Sequence, residues 1–95
     1  MTDDELERWW PDLATVVAAL RRAAEPAVAD ALLEAVGAGS TSGEILGGVG
    51  AILRAQRTFR SGLDETAARA WDAVMADVDR AHPAARPLNW IARAK

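Results

Sequence analysis

The stretch from Gly37 to Arg57, GAGSTSGEILGGVGAILRAQR, decides the fold. A glycine-rich turn leads to Thr41 and Glu44, whose three-residue spacing is that of a capping box and starts a helix near Ser42. Ile45, Val49, Ile52 and Leu53, flanked by Leu46, then recur at helical spacing. Arg54 and Arg57 fall in the last turn, where cations suit the helix dipole. The same helix nevertheless carries Gly47, Gly48 and Gly50. A glycine inside a helix costs about 1 kcal/mol relative to alanine, so three within four residues need a compensating reason. Close approach of a neighbouring helix supplies one. The face at Gly43, Gly47 and Gly50 is predicted to sit where two helices come closest.

Upstream, Thr2 and Glu5 fit another capping box, with a helix beginning at Asp3. Pro11 disfavours helical geometry at Trp10, so this first segment ends or kinks there. From Pro11 the pattern restarts: Leu13, Val16, Val17, Leu20 and Ala24 share one face, while Arg21 and Arg22 face water. Pro26 opens the next helix, with Val28, Leu32 and Val36 on one side and Asp30 and Glu34 on the other, and Gly37 ends it. Downstream of the short link 58–62 comes the clearest stripe: Leu63, Ala67, Trp71, Val74, Met75 and Val78, opposed by Glu65, Arg69, Asp72 and Asp79. Pro83 closes that helix. The tail AARPLNWIARAK has room for a single turn around Leu88 to Ile91. Without strand-like alternation or an internal repeat, the chain reads as all-α. It forms one domain over residues 1–95, a compact bundle of four main helices with a break at Pro11 and a short C-terminal tail.

Composition agrees. Half of the 95 residues are apolar and about a quarter are charged, which is globular composition. Abundant alanine favours helix over sheet. The absence of cysteine excludes disulfides, thiolate nucleophiles and thiolate metal sites, and is compatible with a reducing cytoplasm. The acidic start MTDDELERWW does not resemble a secretory signal, and the apolar run Ile45 to Leu53 is far short of the ~20 residues of a membrane span. A soluble, cytoplasmic protein is expected. Ten arginines against one lysine suggest a GC-rich bacterial genome.

No motif argues for catalysis. GAGSTSG looks like a phosphate-binding loop, but such loops follow a strand and end in Lys before Ser or Thr; here a helix precedes and the first lysine is Lys95. A helix-turn-helix is suggested by Leu32, Gly37 and Ile45, yet the would-be recognition helix begins with glycine and aliphatic residues that cannot read base edges. Arg54, Arg57 and Arg60 form a basic stripe on a chain of net charge −3, which makes nucleic acid an unlikely partner. His82, the only histidine, sits beside Pro83 at a helix end, where it more often meets the last carbonyls. Asp77, Asp79 and His82 do not gather on one helix face, so neither a metal nor another cofactor is expected.

Four tryptophans without a tyrosine are the remaining signal. Trp71 lies on the core stripe. Trp9 and Trp10 are adjacent, so on a helix they point about 100° apart and cannot both enter one narrow core. Trp9, Trp10 and Trp90 either lock the N-terminal turn and the tail onto the bundle or anchor a partner, tryptophan and arginine being common interface hot spots. Charge is segregated along the chain: residues 3–12 carry five carboxylates against Arg8, residues 64–79 five against Arg69, and residues 80–95 four cations and no carboxylate. The tail can pair with the protein's own acidic N-terminus, or the acidic faces can dock a basic partner.

The segment Gly39-Ser40-Thr41-Ser42-Gly43-Glu44-Ile45-Leu46 resembles the entry to the third helix in short helical bacterial proteins with no assigned activity, whose pattern is Gly-(Ala/Ser)-Thr-x-x-Glu-(Ile/Leu). That resemblance implies an all-helical fold; larger residues usually stand there at the positions of Gly47, Gly48 and Gly50. The resulting expectation is a non-enzymatic protein–protein interaction module, with a toxin-neutralising immunity protein as one concrete form. An adaptor or homodimerising domain is the alternative, and a nucleic-acid-binding protein the contrasting class. The partner-binding candidates are Trp9, Trp10, Trp90, Arg54, Arg57 and Arg60.

Overall fold

The computed structural model describes residues 2–81, which form helices α1 (Asp3–Trp9), α2 (Pro11–Arg22), α3 (Pro26–Ala38), α4 (Ser42–Ala55) and α5 (Glu65–Ala81), with a 3-10 helix at Arg57–Gly62 between the last two. No strand occurs among these residues. Six helical elements thus stand where the periodicity predicts four main ones. The two beyond the four main helices are short: α1, the segment marked out by the Thr2–Glu5 box and the break at Pro11, and the 3-10 helix, which the sequence reads as a link.

The helix starts follow local chemistry. Thr2 Oγ1 accepts from the Glu5 N–H at 3.2 Å while the Glu5 carboxylate accepts from the Thr2 N–H, closing the capping box. Thr41 Oγ1 accepts from the Glu44 N–H at 3.1 Å and begins α4 at Ser42. Asp64, which the sequence reading passed over, caps α5 by accepting from the Ala67 N–H at 2.8 Å. At Trp10 the backbone leaves the helical region, with φ −142° and ψ 77°, and separates α1 from α2. Trp10 still donates to the Leu6 carbonyl and accepts from the Ala14 N–H, so the break costs little hydrogen bonding.

Four helix ends differ from expectation: α4 stops at Ala55, so that Arg57 opens the 3-10 helix instead of closing α4, and α5 begins only at Glu65, leaving Leu63 ahead of it. Gly37 does not end α3, which continues through Ala38; Gly39 is the extended residue, because the chain there must turn toward the Thr41 cap and lies directly under Ile45. Ala24 is not on the face of α2. It follows the helix at φ 61°, a left-handed conformation usually given to glycine, in a Schellman turn in which Glu25 donates to Leu20 and Ala24 to Arg21.

Each of α2, α3, α4 and α5 packs on the next, and α5 returns to α2, closing a ring; α1 lies on α2. Inside the ring sit Leu13, Val16, Leu20, Leu32, Val49, Leu53 and Val74, all without exposed surface, with Trp71 buried among them. Leu6 is equally inaccessible and ties α1 to this core. The glycines of α4 serve two neighbours. An ideal Cβ on Gly50 would lie 2.6 Å from Val78 Cγ1 of α5, and one on Gly48 would lie 3.4 Å from Ala35 Cβ of α3. Gly43 and Gly47 are half-buried.

Candidate docking site

The break at Trp10 decides how the two adjacent indoles are used. Had α1 continued, both rings would lie about 100° apart on one helix. With Trp10 extended, its ring turns inward and packs against the core, and Trp9 stays on the last turn of α1 with 52% of its surface exposed. It is the only exposed large hydrophobic side chain among the described residues. The rings meet edge to face, centroids 6.0 Å apart and planes at 79°, an arrangement that holds Trp9 in place without covering it.

Beside this pair opens a cleft of about 500 Å³. Trp9 and Trp10 form one wall, Ile45 and Leu46 from the first turns of α4 form an apolar floor, and Asp77, Arg80 and Ala81 from the end of α5 form the other wall. The Arg80 guanidinium donates to the Asp77 carboxylate, so the polar wall is internally neutralised. Large apolar side chains beside a neutral polar rim suit an aliphatic or aromatic residue of another segment.

The basic stripe separates. Arg54 of α4 pairs with Asp79 of α5 at 3.1 Å, and Arg60 grips Asp72 with two bonds of 2.9 and 2.6 Å. The Arg60 bonds hold the Asp72 carboxyl below its ordinary pKa. Asp72 and Asp79, which the periodicity sets opposite the core stripe, therefore tie α5 to the preceding elements. Arg57 is exposed and makes no ion pair with another described residue. Arg21 and Arg22 face water but are also engaged, Arg21 with Asp3 and Asp30 at 3.1 Å each and Arg22 with Asp64 at 3.7 Å. Hydrogen bonds from the Thr2 side chain and backbone lower the Glu5 pKa.

The structure thus brings Trp9 and Trp10 together and adds Ile45, Leu46 and the end of α5, which the sequence reading had not joined to them. Arg54, Arg57 and Arg60 are not among the residues lining that cleft. Trp90, His82 and Pro83 lie outside the described residues, as does any metal grouping that includes His82; no cluster of three possible metal ligands occurs among the described ones. No described helix is long and apolar enough to cross a membrane. No family model, curated protein or solved structure matches the chain.

Proposed function

We propose that this chain is a non-enzymatic protein–protein interaction module that captures its partner at the Trp9 cleft. The observation that carries the proposal is the half-exposed indole of Trp9, braced by Trp10 beside a cleft with an apolar floor at Ile45 and Leu46 and a polar wall at Asp77 and Arg80. Leaving so large an apolar surface in water forgoes burial energy, and a side chain already braced loses little entropy when a partner covers it. In this reading α2 to α5 act as a four-helix bundle and α1 is the arm that carries the anchor. The likeness of Gly39 to Leu46 to helical bacterial proteins belongs to the same proposal.

The carboxylate excess of the chain favours a basic partner, and neutralisation of a basic toxin by a cytoplasmic immunity protein is the concrete form we favour. An adaptor or a homodimerising domain would use the same cleft. Nucleic-acid binding is disfavoured because Arg54 and Arg60 already satisfy carboxylates of the same chain.

The test compares wild type, Trp9→Ala and Trp10→Ala as baits in a lysate of the source organism, alongside sedimentation of each variant alone. Trp9→Ala is expected to lose captured protein or self-association while its urea melt stays close to wild type. Trp10→Ala, which removes core packing, is expected to lower stability. Capture and association unchanged in Trp9→Ala would refute the assignment.

A further inference from the structure

Charge is spread unevenly over the ring. The 17-residue α5 carries six charged side chains, whereas α3 has only Asp30 and Glu34 and α4 only Glu44 and Arg54. Helices this apolar on nearly every side are normally covered on their outer face as well. Asp30 turns back to Arg21 of α2 and Arg54 to Asp79 of α5, so both are neutralised within the chain. On the outside α3 and α4 leave an apolar groove of about 370 Å³, with Ala27, Ala31, Ala51 and Ala55 along it and Val28 and Ile52 beneath. It shares no lining residue with the Trp9 cleft.

The remaining charges stand at opposite ends of this face. Glu44 lies in the first turn of α4, with Glu34 on α3 towards the same end. Arg57 follows Gln56, which lines the groove near the end of α4. All three are exposed, and none makes an ion pair with another described residue. Glu44 is seven residues before Ala51 and Arg57 six after it, about 10 and 9 Å along the helix axis to either side.

We propose that this face docks a second copy of the chain. Two copies can be laid groove to groove about a two-fold axis in two ways. With the axis parallel to the helices, like ends meet and like charges gather. With the axis across the helices at Ala51, the two α4 helices run antiparallel, and Arg57 of each copy comes opposite Glu44 of the partner subunit. The charge pattern is self-complementary only in the second arrangement, which forms two opposite-charge pairs around an apolar centre. α3 and α4 are each ~20 Å long and together ~20 Å wide, so each copy covers about 400 Å² of the other. That is below the size of stable interfaces, so the dimer is weak and dissociates on dilution. The proposal does not depend on the Trp9 cleft.

Sedimentation equilibrium of the 95-residue chain is expected to show a reversible monomer–dimer step between about 10 µM and 1 mM. Ala51→Arg sets a long cation on an exposed position at the two-fold axis, against its own symmetry mate. It should leave monomer at every concentration while its urea midpoint stays near wild type. Arg57→Glu and Glu44→Arg each place like charges opposite one another and should weaken the dimer by about tenfold or more. Mixing these two variants restores both opposite-charge pairs and should restore association. Glu44 also belongs to the α4 start, so circular dichroism checks that its variant is folded; Ala51→Arg leaves that start intact. Wild type that is monomeric throughout, or a dimer that survives Ala51→Arg, would overturn the proposal. Folded charge variants that fail to associate on mixing would overturn the antiparallel pairing. Trp9→Ala should keep the dimer, so loss of partner capture in that variant is read separately; a dimer lost in Trp9→Ala would overturn the proposal in favour of the cleft.

Discussion

Gly50→Ala is expected to destabilise the domain although it replaces the second-worst helix former with the best. The added Cβ would stand 2.6 Å from Val78 Cγ1, and ordinary contact begins near 3.4 Å, so α4 and α5 must part or Val78 must move. Val78 is buried and β-branched, and a valine in a helix has one strongly preferred χ1, so its methyl cannot swing aside. Overpacking of this kind costs about 1–3 kcal/mol, and the helix-propensity gain returns about 1 kcal/mol, leaving a net loss of ~0–2 kcal/mol. Val78→Ala by itself loses about 2 kcal/mol of buried surface but removes both Cγ atoms, leaving only the Val78 Cβ at 3.5 Å. On that background Gly50→Ala should become stabilising, with a coupling of about 1–3 kcal/mol between the two sites. The assay is urea unfolding followed by circular dichroism. At a slope of ~1 kcal/mol per molar urea, the expected reversal moves the midpoint by an easily resolved ~1 M or more. Gly48→Ala is the control on the same helix: its Cβ would sit 3.4 Å from Ala35 Cβ and should stabilise by up to ~1 kcal/mol. An equal effect of Gly50→Ala in both backgrounds, or stabilisation matching Gly48→Ala, would refute the close-approach argument.

Leu6→Ala should cost ~2–5 kcal/mol in a urea melt because its side chain is fully buried beneath α1; a loss below ~1 kcal/mol would mean that α1 is not anchored by it. Ala24→Gly should raise stability by up to ~1 kcal/mol, since it relieves a left-handed alanine in the Schellman turn, and a lower melting temperature would count against that turn. The lowered Asp72 pKa means that its pairing with Arg60 stabilises the fold above the usual carboxylate range near pH ~4 and is lost as pH falls through the lowered value. Urea midpoints of wild type and Asp72→Asn should therefore differ at neutral pH and converge in acid; a gap that widens in acid would reverse the sign.

What the sequence by itself determined rests on interactions between residues three or four apart. The Thr2–Glu5 and Thr41–Glu44 spacings, the break before Pro11 and the buried positions Ala67, Trp71, Val74 and Val78 were all legible for that reason. Leu6 was legible too, since Leu6, Trp10, Leu13, Val17 and Leu20 continue one alternation of four and three across the break, but the adjacent tryptophans masked it. Only the tertiary structure decided which neighbour each α4 glycine serves. Gly48 faces α3 and Gly50 faces α5 because the two residues lie about 200° apart around one helix, and a period cannot say which helix stands on which side. The same holds for the Arg54–Asp79 and Arg60–Asp72 ties, formed between residues 25 and 12 apart, and for the cleft that joins the end of α1 to α4 and α5. A left-handed Ala24 carries no glycine to announce it: the close return of α3 onto α2 imposes that backbone, and packing repays a strain that local preference would have avoided.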